Sequence, residues 1–251
     1  MNLALPGLLH EDYPAIKDVS CGAGYDGRDL LMPELEFDHL VIAAADLTSG
    51  MAYIRETLGV DIPAGGQHHF MGTHNAVMAV GDGIYLELIA IDPELPAPSG
   101  PRWFGLDTDD LQARLKTGPV LVHYVLRTDD MAATLDGLDP ALRQMLGPAM
   151  SASRGDLHWQ ITLNSDGIPP AGGCIPAIIE WQGTPPQYGM DFPGLVLQKL
   201  ECCHPDPDQL RDWLDMLGAG NLLQHENIVI SSAATTGLAA EFSMDGRSFK
   251  I

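Results

Sequence analysis

Apolar residues recur along this chain in short blocks whose spacing alternates between the two-residue period of a strand and the longer period of a helix. FDHLVIAAADL (37–47) is a nearly unbroken apolar run, the mark of a buried strand, and SGMAYIRETLG (49–59) is amphipathic at helical spacing with Gly59 placed to close it. HNAVMAVG (74–81) and IYLELIAI (84–91) read as strands joined by a tight hairpin at Gly81, Asp82 and Gly83. Proline-rich PELPAPSGP (93–101) leads into a linking helix predicted over WFGLDTDDLQARLKTG (103–118). The order then returns: GPVLVHYVLRT (118–128) is a strand, DDMAATLDGL (129–138) a short helix, and DLHWQITLN (156–164) and CIPAIIEWQ (174–182) are strands.

Two tandem βαβββ modules, an α+β fold, are therefore expected over residues 36–118 (with the linking helix) and 119–190. A further strand (GLVLQKLECC, 194–203), a helix capped by Asp206 (DPDQLRDWLDML, 206–217) and two strands (ENIVISS, 226–232; GLAAEFSM, 237–244) follow. Lacking one strand, residues 191–251 read as a partial third βαββ unit packed on the same domain. Residues 1–35, with Pro6, Pro14, Pro33 and several glycines but no sustained period, read as an irregular arm lying on that domain.

Polar residues sharpen the repeat. His39 and His123 fall at equivalent places in the first strand of each module, and Glu87 and Glu180 each sit mid-strand in a closing strand. A carboxylate flanked by apolar residues is costly to bury unless it is paired or binds a metal. Two at matching places need one cause. Neutral imidazole and carboxylate suit a divalent ion such as nickel, cobalt, zinc, manganese or iron, and a pseudo-twofold would bring all four residues to it. GGQHHFMGTHN (65–75) adds His68, His74 and Asn75 as candidate substrate contacts at the rim of the cleft, since His68 and His69 cannot both face inward in an extended chain. Arg154, Trp159 and Trp181 are candidates for the opposite wall, with Arg154 facing an anionic group.

Composition narrows the partners. Apolar residues make up 45% of the 251 and charged ones 19%, which describes a globular chain. A formal charge of −21 without a basic stripe argues against nucleic acid, and no apolar run approaches the roughly 20 residues of a membrane span. Cys21, Cys174, Cys202 and Cys203 have no metal-site spacing and read as reduced thiols; with no secretory leader pattern, a cytoplasmic location is expected. CGAGYDG (21–27) does not join a strand to a helix, so it is no dinucleotide fingerprint.

FDHLVIAAADL, GGQHHFMGTHNAV (65–77), YLELIAIDP (85–93), WFGL (103–106) and IIEW (178–181) resemble the glyoxalase-like branch of the vicinal oxygen chelate superfamily, which also contains bleomycin-resistance proteins and extradiol dioxygenases. The resemblance covers about residues 37–190. It implies a U-shaped cleft of mixed, largely antiparallel sheet, and a divalent metal ion held by His39, Glu87, His123 and Glu180. It implies a small-molecule substrate gripped through two neighbouring oxygens, and a homodimer as the common assembly, although the third unit could cover the pairing surface. With two His and two Glu, a lyase or isomerase is the leading expectation, one glutamate (Glu180 or Glu87) moving a proton at carbon. The alternatives are a ferrous extradiol-type dioxygenase using His39, His123 and Glu180, and a noncatalytic ligand-binding or resistance protein of the same fold.

Overall fold

Leu40, Val41, Ile42 and Ala43 are all fully buried, so the first apolar run lies where a strand is covered on both faces. A computed structural model describes residues 33–81, 83–224 and 228–251 of the chain. Apart from residues 33–35, the arm expected over 1–35 lies outside the described residues, as does Asp82 of the hairpin turn. The buried strand, β1 (Glu36–Ala43), is central in a curled eight-stranded sheet with β2 (Ala64–His68), β3 (Thr73–Ala79), β4 (Tyr85–Ile91), β5 (Val120–Arg127), β6 (Ala149–Arg154), β7 (Leu157–Thr162) and β8 (Ala177–Trp181). Their order is β2-β3-β4-β1-β5-β8-β7-β6.

Each module pairs its first strand parallel to its last, β1 with β4 and β5 with β8, and the modules meet through antiparallel β1 and β5. The pairs His39–Val125 and Val41–His123 lie on either side of Leu40–Tyr124. That reciprocity is a pseudo-twofold, and it makes His39 and His123 equivalent.

α1 (Leu47–Leu58) begins where Asp46 accepts a hydrogen bond from the Ser49 N–H at 2.9 Å and ends at Gly59 in the left-handed region, φ 74°. The linking helix is shorter than predicted. Phe104 and Gly105 take positive φ in a short 3-10 turn, so α2 (Asp109–Leu115) starts only after its Thr108 cap. α3 (Met131–Gly137) starts at an Asp130 cap, and α4 (Pro140–Leu146) follows it. β2, β6 and α4 escaped the hydropathy pattern: β2 (AGGQH) and β6 (AMSASR) are short and poor in large apolar residues.

The remaining chain forms β9 (Val196–His204), α5 (Pro207–Met216), α6 (Gly220–Gln224), β10 (Ile228–Ser232), β11 (Gly237–Met244) and β12 (Arg247–Lys250). This corrects the partial βαββ reading twice. β12, a short polar strand, completes four strands, and the sheet order β10-β9-β11-β12 gives β9 a parallel partner in the strand just after its helices, not in the last strand. It is wired differently from the two modules.

Two cores divide the eight-stranded sheet. On one face Leu40, Tyr124 and Leu126 pack with Ile54 of α1, Leu142 of α4, and Leu200, Cys202 and Phe242 of the third unit. On the other, Val41, Ile89, Val125 and Ile179 pack under Trp103, Phe104 and Trp159. Among the described residues no helix is long and apolar enough to cross a membrane.

Because Phe242 is fully buried in a core shared by all three units, Phe242→Ala is expected to cost about 3–5 kcal/mol. Urea unfolding followed by fluorescence and far-UV circular dichroism should remain one coincident transition. An early, separate transition for residues 191–251 would show that the third unit is not part of the common core.

Candidate active site

The chemistry gathers on the face under the tryptophans. A register irregularity in β1 between Phe37 and His39 breaks the usual alternation, and Asp38 and His39 are both buried, at 0% and 3% exposure. Asp38 Oδ1 lies 2.6 Å from His39 Nδ1. Its Oδ2 accepts from Trp181 Nε1 at 3.1 Å and Gln187 Nε2 at 3.0 Å, and Arg127 Nη1 stands 3.9 Å away. A carboxylate can only accept, so Nδ1 carries the imidazole proton and Nε2 is left facing the cleft. Tyr85 stacks on the ring with centroids 4.4 Å apart and fixes its plane.

His39 Nε2 faces Glu87 Oε2 across 3.7 Å. Glu87 is on β4, directly beside Val41 of β1, and its other oxygen accepts from Asn75 Nδ2 at 2.6 Å. Asn75 Oδ1 in turn accepts from the Gly66 N–H at 3.0 Å and from Arg154 Nη1 at 2.8 Å. The approach of β2 to this carboxamide explains Gly65: a Cβ there would lie 2.3 Å from Asn75 Oδ1. Arg154 Nη1 also reaches His68 Nε2, at 3.3 Å, while His68 Nδ1 meets Thr73 Oγ1 at 3.2 Å. Burial first and the Arg154 charge second push the His68 pKa down to about 3, so it is a neutral ring. The polar line His39–Glu87–Asn75–Arg154–His68, with Asp38 behind His39, borders a cavity of about 40 Å³ walled by Trp103, Phe104, Trp159 and Trp181.

Of the residues expected from sequence, the structure brings together His39, Glu87, His68, Asn75, Arg154, Trp159 and Trp181. His123 is on the same face, and its Nδ1 is 3.3 Å from the Gly173 carbonyl. Burial holds its pKa down to about 3. It borders a different small cavity, and Phe104, held at φ 59° with its ring 5.8 Å from the imidazole, borders both. Two expectations are corrected. His74 turns away from the cleft, because alternation along β3 sends Asn75 inward and His74 toward Asp92, whose Oδ2 is 3.5 Å away. Glu180 also faces the opposite side of the sheet from His39: Ile179 and Trp181 point into the cleft, and Glu180 Oε2 accepts the Met131 N–H at 2.7 Å at the start of α3. Under the pseudo-twofold, Val41 beside Glu87 corresponds to Val125 beside Ala177, so an alanine occupies the second glutamate's place.

The four donors expected for a divalent ion therefore do not fit one coordination sphere. Among the described residues no three His, Cys, Asp or Glu side chains are grouped to hold an ion. Sequence reading missed Asp38, Tyr85 and Gln187. The one signal available was an Asp next to a His inside an apolar strand run.

The sequence profile of the glyoxalase-like domain matches residues 37–218. The chain belongs to the glyoxalase-like domain family. Its fold is similar to that of a hypothetical protein from Staphylococcus aureus, 14% identical, with 86% of this chain and 98% of that one covered at a TM-score of 0.51. Methylmalonyl-CoA epimerases from Mycobacterium tuberculosis (20% identical, 61% and 91% covered, TM-score 0.36) and Streptomyces coelicolor (19%, 59% and 97%, 0.36) also match. At 14% identity, the likeness to the Staphylococcus aureus protein is one of fold alone. No curated protein sequence matches the chain.

Two measurements follow from these placements. His68 and His123 have folded pKa values near 3 against an ordinary value of 6.5, so below about pH 6.5 the unfolded chain takes up protons that the folded chain refuses. Their contribution to stability is complete above that pH and is lost as pH falls from about 6.5 toward 3, each adding up to about 1.4 kcal/mol per pH unit to the slope. His123→Gln should flatten the pH dependence of urea stability between pH 6 and 5; an unchanged slope would mean that this imidazole is already charged. Glu180→Ala should cost about 1 kcal/mol through the lost contact at the start of α3. A far larger loss, or loss of a stoichiometric metal, would return Glu180 to the cleft.

Proposed function

We propose that this glyoxalase-like domain protein is an isomerase- or lyase-type enzyme that moves a proton at a carbon next to a carbonyl in a small oxygenated anion. The observation that carries this reading is the Glu87 carboxylate, 6% exposed, aimed at His39 Nε2 and gripped by Asn75 on its other oxygen. Glu87 acts as the base on the carbon-bound proton, and the electron pair moves to the carbonyl oxygen. Asp38 holds His39 with its proton on Nδ1, so the free Nε2 can take from Glu87 the proton that Glu87 has removed from carbon and then return it to the enolate. Arg154 has a hydrogen bond to Asn75 and no carboxylate partner among the described residues, which suits it to the substrate's anionic group. Returning the proton to either face of the carbon gives isomerisation, and expelling a group from the next carbon gives elimination. No step is routed through a metal ion, since the donors do not fit one. The dioxygenase alternative loses its carboxylate with Glu180, and a passive binder does not account for two buried carboxylates flanking one imidazole.

The test is solvent exchange. With 2-oxobutyrate in deuterated buffer, deuterium should enter carbon 3 faster than without protein, as read by proton NMR. Glu87→Gln should lower the rate by about a hundredfold or more, with the fold intact by circular dichroism. Exchange that is indifferent to Glu87→Gln would refute the assignment of the base.

A further inference from the structure

Beside the floor cavity runs a groove of about 760 Å³, within the range of small-ligand pockets, and Trp159 borders both. The floor has room for about one water-sized group, so only the head of a substrate enters it. Whatever continues from that head lies in the groove. The groove's character is unusual for this chain. In a protein of net charge −21, none of its lining residues is Lys, Arg, Asp or Glu. Its walls combine the apolar surfaces of Phe70, Met71, Met150 and Trp159 with the hydroxyls of Ser151 and Ser153. The exposed Ser151 and Ser153 offer hydroxyl oxygens that a ligand hydroxyl or N–H would satisfy.

We infer that the groove is the subsite for an uncharged substrate tail, predominantly apolar with a hydrogen-bond donor, attached to the anionic head bound on the floor. This rests on the reading of Arg154 and Glu87 as the head site. A nucleotide-bearing tail such as coenzyme A is a poor match, because polyphosphate recognition needs cationic or backbone donors that converge on it, and the groove offers no cation against a strongly negative surface.

Isothermal titration with three probes sharing an oxygenated head decides the matter: 2-oxobutyrate as head alone, 2-oxooctanoate with an uncharged tail, and methylmalonyl-CoA. The tailed acid should bind about tenfold or more tightly than the head alone, and the coenzyme A thioester should gain nothing over it. Ala152→Trp, which fills the groove, should remove the tail's advantage and leave 2-oxobutyrate binding within about twofold. Met150→Ala should lower it by a smaller factor should the tryptophan variant fail to fold. Equal affinity for 2-oxobutyrate and 2-oxooctanoate would overturn the groove subsite while the head site stands. Tighter binding of the thioester would overturn the uncharged class. Absence of binding by all three would overturn the head-site reading and the subsite with it.

Discussion

Two carboxylates, Asp38 and Glu87, lie almost wholly out of water on neighbouring strands, and the rest of the site is arranged around holding them there. A buried anion without partners costs several kcal/mol, and here three of the four oxygens accept a hydrogen bond. Asp38 takes His39 on one oxygen and Trp181 with Gln187 on the other. Glu87 takes Asn75 on one oxygen and faces His39 with the other. The partners come from widely separated parts of the chain, so the site exists only when both modules are closed on one another. Stability and function are coupled through the same hydrogen bonds.

That coupling shapes the chemistry available. A carboxylate and an imidazole side by side in an aromatic-walled cavity form a proton-transfer pair, while the Arg154 guanidinium across the floor is held by a carboxamide and left able to meet an anion. His68 and His123, both kept neutral by burial, add no charge to the face. The cleft side of the sheet therefore sets the Arg154 guanidinium against two buried anions, with Arg127 standing 3.9 Å from one of them, Asp38, a separation that water would screen and burial preserves.

The opposite face has a different task. α1, α3, α4 and the four-stranded sheet of the third unit cover it with a continuous apolar core. Glu180 belongs to this side, where it satisfies a backbone N–H at the start of α3. The central strands β1 and β5 are thereby covered on both faces, which fixes the backbone from which His39 and His123 project. The third unit achieves this with a strand order of its own, since covering an apolar face requires shape and area and does not require repeating the module's wiring.

Apolar periodicity and helix-end chemistry are local and written in consecutive residues, so the two modules, their first and last strands, the helix ends at Gly59 and Asp206, and the equivalence of His39 with His123 were legible in the sequence. It also marked Glu87, Asn75, His68 and Arg154 as candidates from residue type and place in the pattern. Only the tertiary structure decided which way each side chain faces. A shift of one residue in a strand exchanges its faces, so a three-residue difference in register separates Ala177, beside Val125, from Glu180 on the far side, and a single alternation separates Asn75 from His74. The irregularity in β1 that lets Asp38 reach His39, and the partners Trp181 and Gln187 that make Asp38 tolerable there, depend on strand pairing and long-range packing. Hydropathy records which residues are buried; the facing of one buried polar group toward another is settled by register, and register is a property of two strands together.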